Sequence, residues 1–136
     1  MPDVETAHLA ATSAYAGFQW VIRVVVYPQL AEVSRADFPG YLDAYQRRVT
    51  YLVAPLFGAL VVTTAMVVRS SGPYLGKVAA VALLAALLGL TGFAAVPLHR
   101  RLSARWDAAA HRRLMQVDAV RVAVATANVG VAMLLL

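Results

Sequence analysis

"YLVAPLFGALVVTTAMVVRSSGPYLGKVAAVALLAALLGLTGFAAVPL", residues 51–98, consists of two apolar runs on either side of a short polar segment. Residues 51–68 and 78–98 each approach the roughly 20 residues that a helix needs to cross about 30 Å of hydrocarbon. Between them, "RSSGPYLGK" (69–77) gathers the Ser, Gly and Pro that stop a helix and turn the chain, so the two spans are expected to be antiparallel neighbours. Two more runs qualify outside this pair, at about 8–29 and 117–136. The fold class expected is therefore all-α, an integral membrane four-helix bundle forming one domain over residues 1–136.

Composition agrees with this. Of the 136 residues, 61% are hydrophobic and 14% charged, with a mean hydropathy of +0.68, well beyond what a soluble domain of this length carries. The chain has no cysteine, which excludes disulfides, thiolate nucleophiles and cysteine-held zinc or iron–sulfur sites. A net charge of +5 would suggest nucleic acid in a soluble protein, but here the arginines lie between apolar runs and no nucleic-acid partner is expected. Arg23 is the first basic residue and follows most of the first run, unlike the charge order of a cleaved signal peptide, so that run is expected to remain as a span.

Lys and Arg set the orientation. Residues 31–50 carry three, 99–116 five and 69–77 two. The loops 31–50 and 99–116 are thus expected on the cytoplasmic side of the inner (plasma) membrane, with both termini outside. In "AEVSRADFPGYLDAYQRRVT" (31–50), Pro39 and Gly40 read as a break, followed by a short interfacial helix through Tyr41, Ala44 and Val49. The doubled His-Arg-Arg-Leu at 99–102 and 111–114 is spaced by 12 residues. That is about a third of a turn off register on a continuous helix, so the two histidines would not share a face.

Polar residues inside the spans carry the functional reading. A charge at the centre of a span costs about 2.5–3.5 kcal/mol, so such residues usually face a partner or a cavity. In span one, Thr12, Tyr15, Gln19, Arg23 and Tyr27 recur every three or four residues; in span four, Asp118, Arg121, Ala125 and Asn128 do the same. Antiparallel packing brings Arg23, His99, Asp118 and Arg121 to similar depth near the cytoplasmic boundary. Two arginines against one aspartate leave one cation over, and a buried unpaired cation calls for an anion. The expectation is a cytoplasm-facing pocket lined by spans one and four that takes an anionic or enolisable small molecule. Its catalytic candidates are Asp118, His99, Arg121 and Arg23, and its binding candidates are Gln19, Tyr27, Asn128 and Tyr15.

Structural readings stand beside this one. Arg23 and Arg121 are near enough to the surface to extend their heads to phosphate groups. Asp118 and Arg121, three residues apart, have the spacing of an intrahelical ion pair. Gln19 and Asn128 suit interhelical hydrogen bonding, and His99 and His111 suit an interface better than a metal. On that view the protein is a non-catalytic subunit or lipid-binding scaffold gripping anionic head groups. A transporter is disfavoured for want of an inverted repeat, and a homo-oligomer stays open.

Four stretches resemble the anthrone oxygenase-like family of small four-span bacterial membrane proteins. They are "VYPQL" (26–30), "FPGYLDAYQRRVTYLVAPL" (38–56), "VPLHRRL" (96–102) and "DAAAHRRL" (107–114) with Asp118 and Arg121 after it. The resemblance covers nearly the whole chain. It implies oxidation of an aromatic or quinone-like molecule by dioxygen with no cofactor, neither metal nor flavin. Breaking an anthrone's acidic C–H bond takes a base, Asp118 or His99, and the resulting oxyanion would be held by Arg23 and Arg121.

Overall fold

The computed structural model describes residues 3–136. Four helices fill it: α1 (Val4–Leu30), α2 (Phe38–Arg69), α3 (Tyr74–Ala104) and α4 (Ala108–Leu134), each long and apolar enough to cross a membrane. They form an up-down-up-down bundle in which α1 packs on α2 and α4, and α3 packs on α2 and α4. The start of α1, the end of α4 and the α2–α3 turn lie at one end, where Leu135 reaches Gly72 and Gly76 and the Lys77 ammonium donates to the Ser70 carbonyl. The opposite end carries the two arginine-rich connections.

Local chemistry accounts for the helix starts. Asp3 Oδ1 accepts from the Thr6 amide at 2.8 Å, and Asp107 Oδ1 accepts from the Ala109 and Ala110 amides at 3.0 and 3.2 Å. These are N-cap bonds to otherwise orphaned donors. α2 opens with Pro39 in its first turn, a position where the missing N–H is harmless. The expected break at Pro39-Gly40 is therefore a helix start, and the short interfacial helix expected through Tyr41, Ala44 and Val49 is continuous with the second span. Likewise α3 continues to Ala104 and α4 begins at Ala108, leaving only residues 105–107 between them. The long loops expected at 31–50 and 99–116 shrink to short turns because their charges lie on outer helix faces: Asp43, Arg47, Arg48, Arg100, Arg101, Arg112 and Arg113 are all exposed.

Two π-helical turns interrupt the α pattern, Ile22–Val26 in α1 and Leu90–Ala95 in α3. Each has a proline two residues after its last residue, Pro28 and Pro97. A proline ring clashes with the carbonyl four residues back. The wider turn gives that carbonyl room, and its closing bonds run Tyr27 N–H to Ile22 O and Val96 N–H to Thr91 O, one residue longer than in an α-helix. The first of these turns changes which residues face inward. Thr12, Tyr15 and Gln19 are buried as their spacing predicts, but the next inward residues are Ile22 and then Tyr27, five apart, while Arg23 swings to the α1–α4 seam.

The bundle buries its polar residues within an otherwise apolar interior and exposes apolar side chains on its outer surface. His8, Thr12, Gln19, Thr64, Asp118, Arg121 and Asn128 are buried, whereas Val24, Val25, Leu52, Val62, Phe93 and Leu134 are exposed. That is the distribution a lipid solvent selects. At the arginine-rich end a conventional apolar cluster closes the interior: Phe38, Leu42, Leu98, Leu102, Ala110 and Leu114, with the Phe38 ring edge-on to Trp106 at 4.8 Å. Phe38→Ala is expected to destabilise the bundle by about 3–5 kcal/mol, the usual cost of truncating a fully buried ring. Tyr41→Ala, at an exposed site one turn on, is expected to change little. Thermal unfolding in mild detergent followed by circular dichroism checks both.

Candidate functional site

The sequence-predicted polar residues meet at the level of the π turns. Gln19 Nε2 donates to Asp118 Oδ1 at 2.5 Å, and Tyr15 Oη donates to Gln19 Oε1 at 3.3 Å. Arg23 Nη1 donates both to Asp118 Oδ2 at 3.4 Å and to the Met115 carbonyl at 3.3 Å. Tyr27 Oη and His99 Nε2 are 3.3 Å apart, a hydrogen bond joining α1 to α3. Asp118 is fully buried and the Arg23 side chain is 38% exposed.

The ion pair differs from the one the spacing suggested. Asp118 and Arg121 are one turn apart on α4, yet the only salt bridge among the described residues is Arg23–Asp118. Arg121 is 6% exposed, its Nε has no hydrogen-bond partner, and Tyr15, Tyr27 and Asp118 are its electrostatic neighbours. One buried cation is thus left over, as the charge count required.

That cation lines a cavity of about 310 Å³, within the range of roughly 300–1,000 Å³ typical of small-molecule sites. α1 contributes Gln19, Ile22 and Tyr27, α2 contributes Tyr45 and Val49, and α3 contributes Thr91, Ala95 and His99, while Arg121 is the sole contribution of α4. The exposed residues Thr50, Val96 and Arg100 stand at its mouth. The cavity therefore opens laterally between α2 and α3; spans one and four both contribute to its lining, as expected of the pocket, but α2 and α3 supply the rest of the wall. The α1–α4 seam itself is closed by Gln19, Asp118 and Arg23, which bond across it.

Of the eight candidates, Gln19, Tyr27, His99 and Arg121 line the cavity. Asp118 and Arg23 lie behind it, at the seam. Tyr15 is buried next to Gln19, and Asn128 is buried about 10 Å further along α4, two turns beyond Arg121. Tyr45 was not foreseen. Its ring lies 6.4 Å from both Tyr27 and His99, so three rings border one space. Its signal was the run Leu42, Tyr45, Val49, Val53 at helical spacing, obscured by reading Pro39-Gly40 as a break.

His99 and His111 have separate environments, the first at the cavity and the second against Trp106 at 5.0 Å. Among the described residues no three His, Cys, Asp or Glu side chains are grouped to hold a metal ion. His99 Nδ1 and Thr91 Oγ1 are buried without a hydrogen-bond partner. Buried polar atoms are usually paired, so orphans beside a cavity mark places for water or ligand atoms. The site can thus offer a cation, a free imidazole nitrogen and flat aromatic walls to one molecule. No family model matches this chain, and no curated protein or solved structure matches it.

Proposed function

We propose that the protein binds an acidic aromatic or quinone-like small molecule in the α2–α3 cavity, with its oxyanion against Arg121 and its rings among Tyr27, Tyr45 and His99. The observation that carries this reading is Arg121, a buried guanidinium facing a cavity without a carboxylate of its own. In a low-dielectric interior such a charge strongly favours an anionic ligand.

The reaction that suits these groups is the anthrone-type oxygenation. His99 Nδ1 takes the proton from the acidic methylene, with Nε2–H donating to Tyr27 Oη to hold the required tautomer. The resulting enolate oxygen is stabilised by Arg121, and its carbon adds dioxygen to give a hydroperoxide that loses water to leave a ketone. The balance is one methylene and one O2 to one carbonyl and one water. In this assignment Asp118, whose two oxygens are already engaged, is structural and His99 is the base.

The test uses lawsone, a hydroxynaphthoquinone that is an anion at neutral pH, and its uncharged parent naphthoquinone, titrated against the protein in zwitterionic nanodiscs. Preferential binding of lawsone is expected. Equal weak partitioning of both would remove the anion-site reading and leave the scaffold alternative. That second reading draws on the groove between α1 and α2, where Val26, Leu30 and Leu52 lie beside Gln29 and Arg48, a combination suited to a lipid chain and its phosphate.

We further infer a bacterial inner-membrane location with the arginine-rich end in the cytoplasm and both termini outside. A C-terminal alkaline phosphatase fusion is expected to be active and a C-terminal fluorescent protein fusion dark. The reverse pattern would invert the topology.

A further inference from the structure

Asp118 has two cations within reach and pairs with only one. Arg121 follows it by three residues on the same buried face of α4, the spacing at which side chains of a helix normally meet. Arg23 comes from another helix, and its 3.4 Å contact is long for a charged hydrogen bond. Arg23 nevertheless holds the carboxylate. Two features give it the advantage: the π turn Ile22–Val26 rotates it onto the seam, and its Nη1 is also anchored by the Met115 carbonyl. Gln19, one turn earlier on the same helix as Arg23, takes the other carboxylate oxygen. With both oxygens engaged, Arg121 is within the field of Asp118 but forms no salt bridge or hydrogen bond with it, and it lines the cavity.

We propose that Arg23 is a positioning residue that keeps Arg121 available. By neutralising Asp118 from outside the cavity, it determines that the cavity presents a bare cation and so selects anions. This rests on the reading of the cavity as an anion site. Arg23 touches no ligand on this account, and its effect passes entirely through Asp118. Without Arg23, the carboxylate has an unengaged oxygen one helical turn from a guanidinium, and the two close into an intrahelical pair. The cavity then loses its charge although every lining residue is still present.

That dependence has a signature that neither direct ligand contact nor general loss of structure reproduces. Lawsone affinity is measured in zwitterionic nanodiscs for the wild type, Arg23→Met, Asp118→Asn and the double variant. Arg23→Met is expected to weaken binding by about tenfold, the worth of one charge-assisted hydrogen bond. Adding Asp118→Asn is expected to restore affinity to within about twofold, because the amide no longer captures Arg121. Asp118→Asn alone is expected to bind as well as the wild type or better, and this arm holds even if Arg23→Met does not fold. Wild-type affinity in Arg23→Met, a loss that the second substitution fails to rescue, or a loss in Asp118→Asn alone would each overturn the proposal. A wild type that does not prefer lawsone to naphthoquinone would overturn the anion site together with it, a result distinct from the other three.

Discussion

Arg121→Gln is expected to weaken lawsone binding by about 10- to 150-fold, corresponding to the roughly 1.5–3 kcal/mol of a hydrogen bond to a charged group. The same substitution is expected to leave the bundle as stable as before or more so. Holding a charge within a span costs about 2.5–3.5 kcal/mol, and Arg121 has no salt bridge of its own to offset that cost. Glutamine is smaller, neutral and still able to donate. A tighter fold with poorer binding is the pattern of a residue kept for function at the expense of stability. Isothermal titration and thermal unfolding on one preparation measure both quantities. Loss of stability with unchanged affinity would make Arg121 a structural residue and remove the basis of the binding site.

His99→Gln is expected to slow oxygen uptake with dithranol, a dihydroxyanthrone, by about a hundredfold to ten-thousandfold over the spontaneous background, the range attributed to a positioned general base. Lawsone affinity in that variant is expected to fall far less, since the imidazole contributes a proton acceptor and a wall but not the charge. Asp118→Asn is expected to stay within a few-fold of the wild-type rate, because its carboxylate is turned to Gln19 and Arg23 and is not among the cavity-lining groups. An oxygen electrode distinguishes the two. Should Asp118→Asn abolish uptake while His99→Gln leaves it intact, the base would be reassigned to Asp118. Absence of uptake above background in the wild type would leave a binding protein without this chemistry.

How far these features could be read in advance differs along the chain. Hydropathy marks all four helices, because a lipid-facing surface imposes apolarity on long contiguous runs. It does not mark their ends at the arginine-rich side. There the helices continue past the apolar runs with charges such as Arg47, Arg48, Arg112 and Arg113 on their outer faces, so hydropathy alone does not show that the helical spacing in these stretches belongs to the spans. The buried polar stripe in α1 was legible through Gln19, where the period of three to four holds. It failed at Arg23 because the π turn inserts one residue, so Tyr27 follows Ile22 inward and the arginine leaves the stripe. Pro28 and Pro97 follow these turns, but Pro55 lies within α2 with no π turn before it, so proline alone did not mark where the extra residue falls. The charge excess needed only counting, but which arginine would keep Asp118 depended on that extra residue.

α2 has a consequence for how a ligand arrives. Its 32 residues extend about 48 Å, while the hydrocarbon spans about 30 Å. Measured back from Arg69, about 30 Å of helix ends near residue 50, so the cavity would straddle the boundary, with its lining residues Tyr45 and Gln46 on the headgroup side, Thr50 at the mouth and Val53 on the acyl side. A flat, weakly acidic aromatic settles at this same depth, with its rings in the acyl region and its oxyanion among the headgroups. If the cavity takes such a molecule as proposed, it draws on the membrane-enriched concentration and not the scarce aqueous one. A site of modest intrinsic affinity would stay occupied, and a solute too polar to enter the bilayer would seldom reach Arg121 whatever its charge.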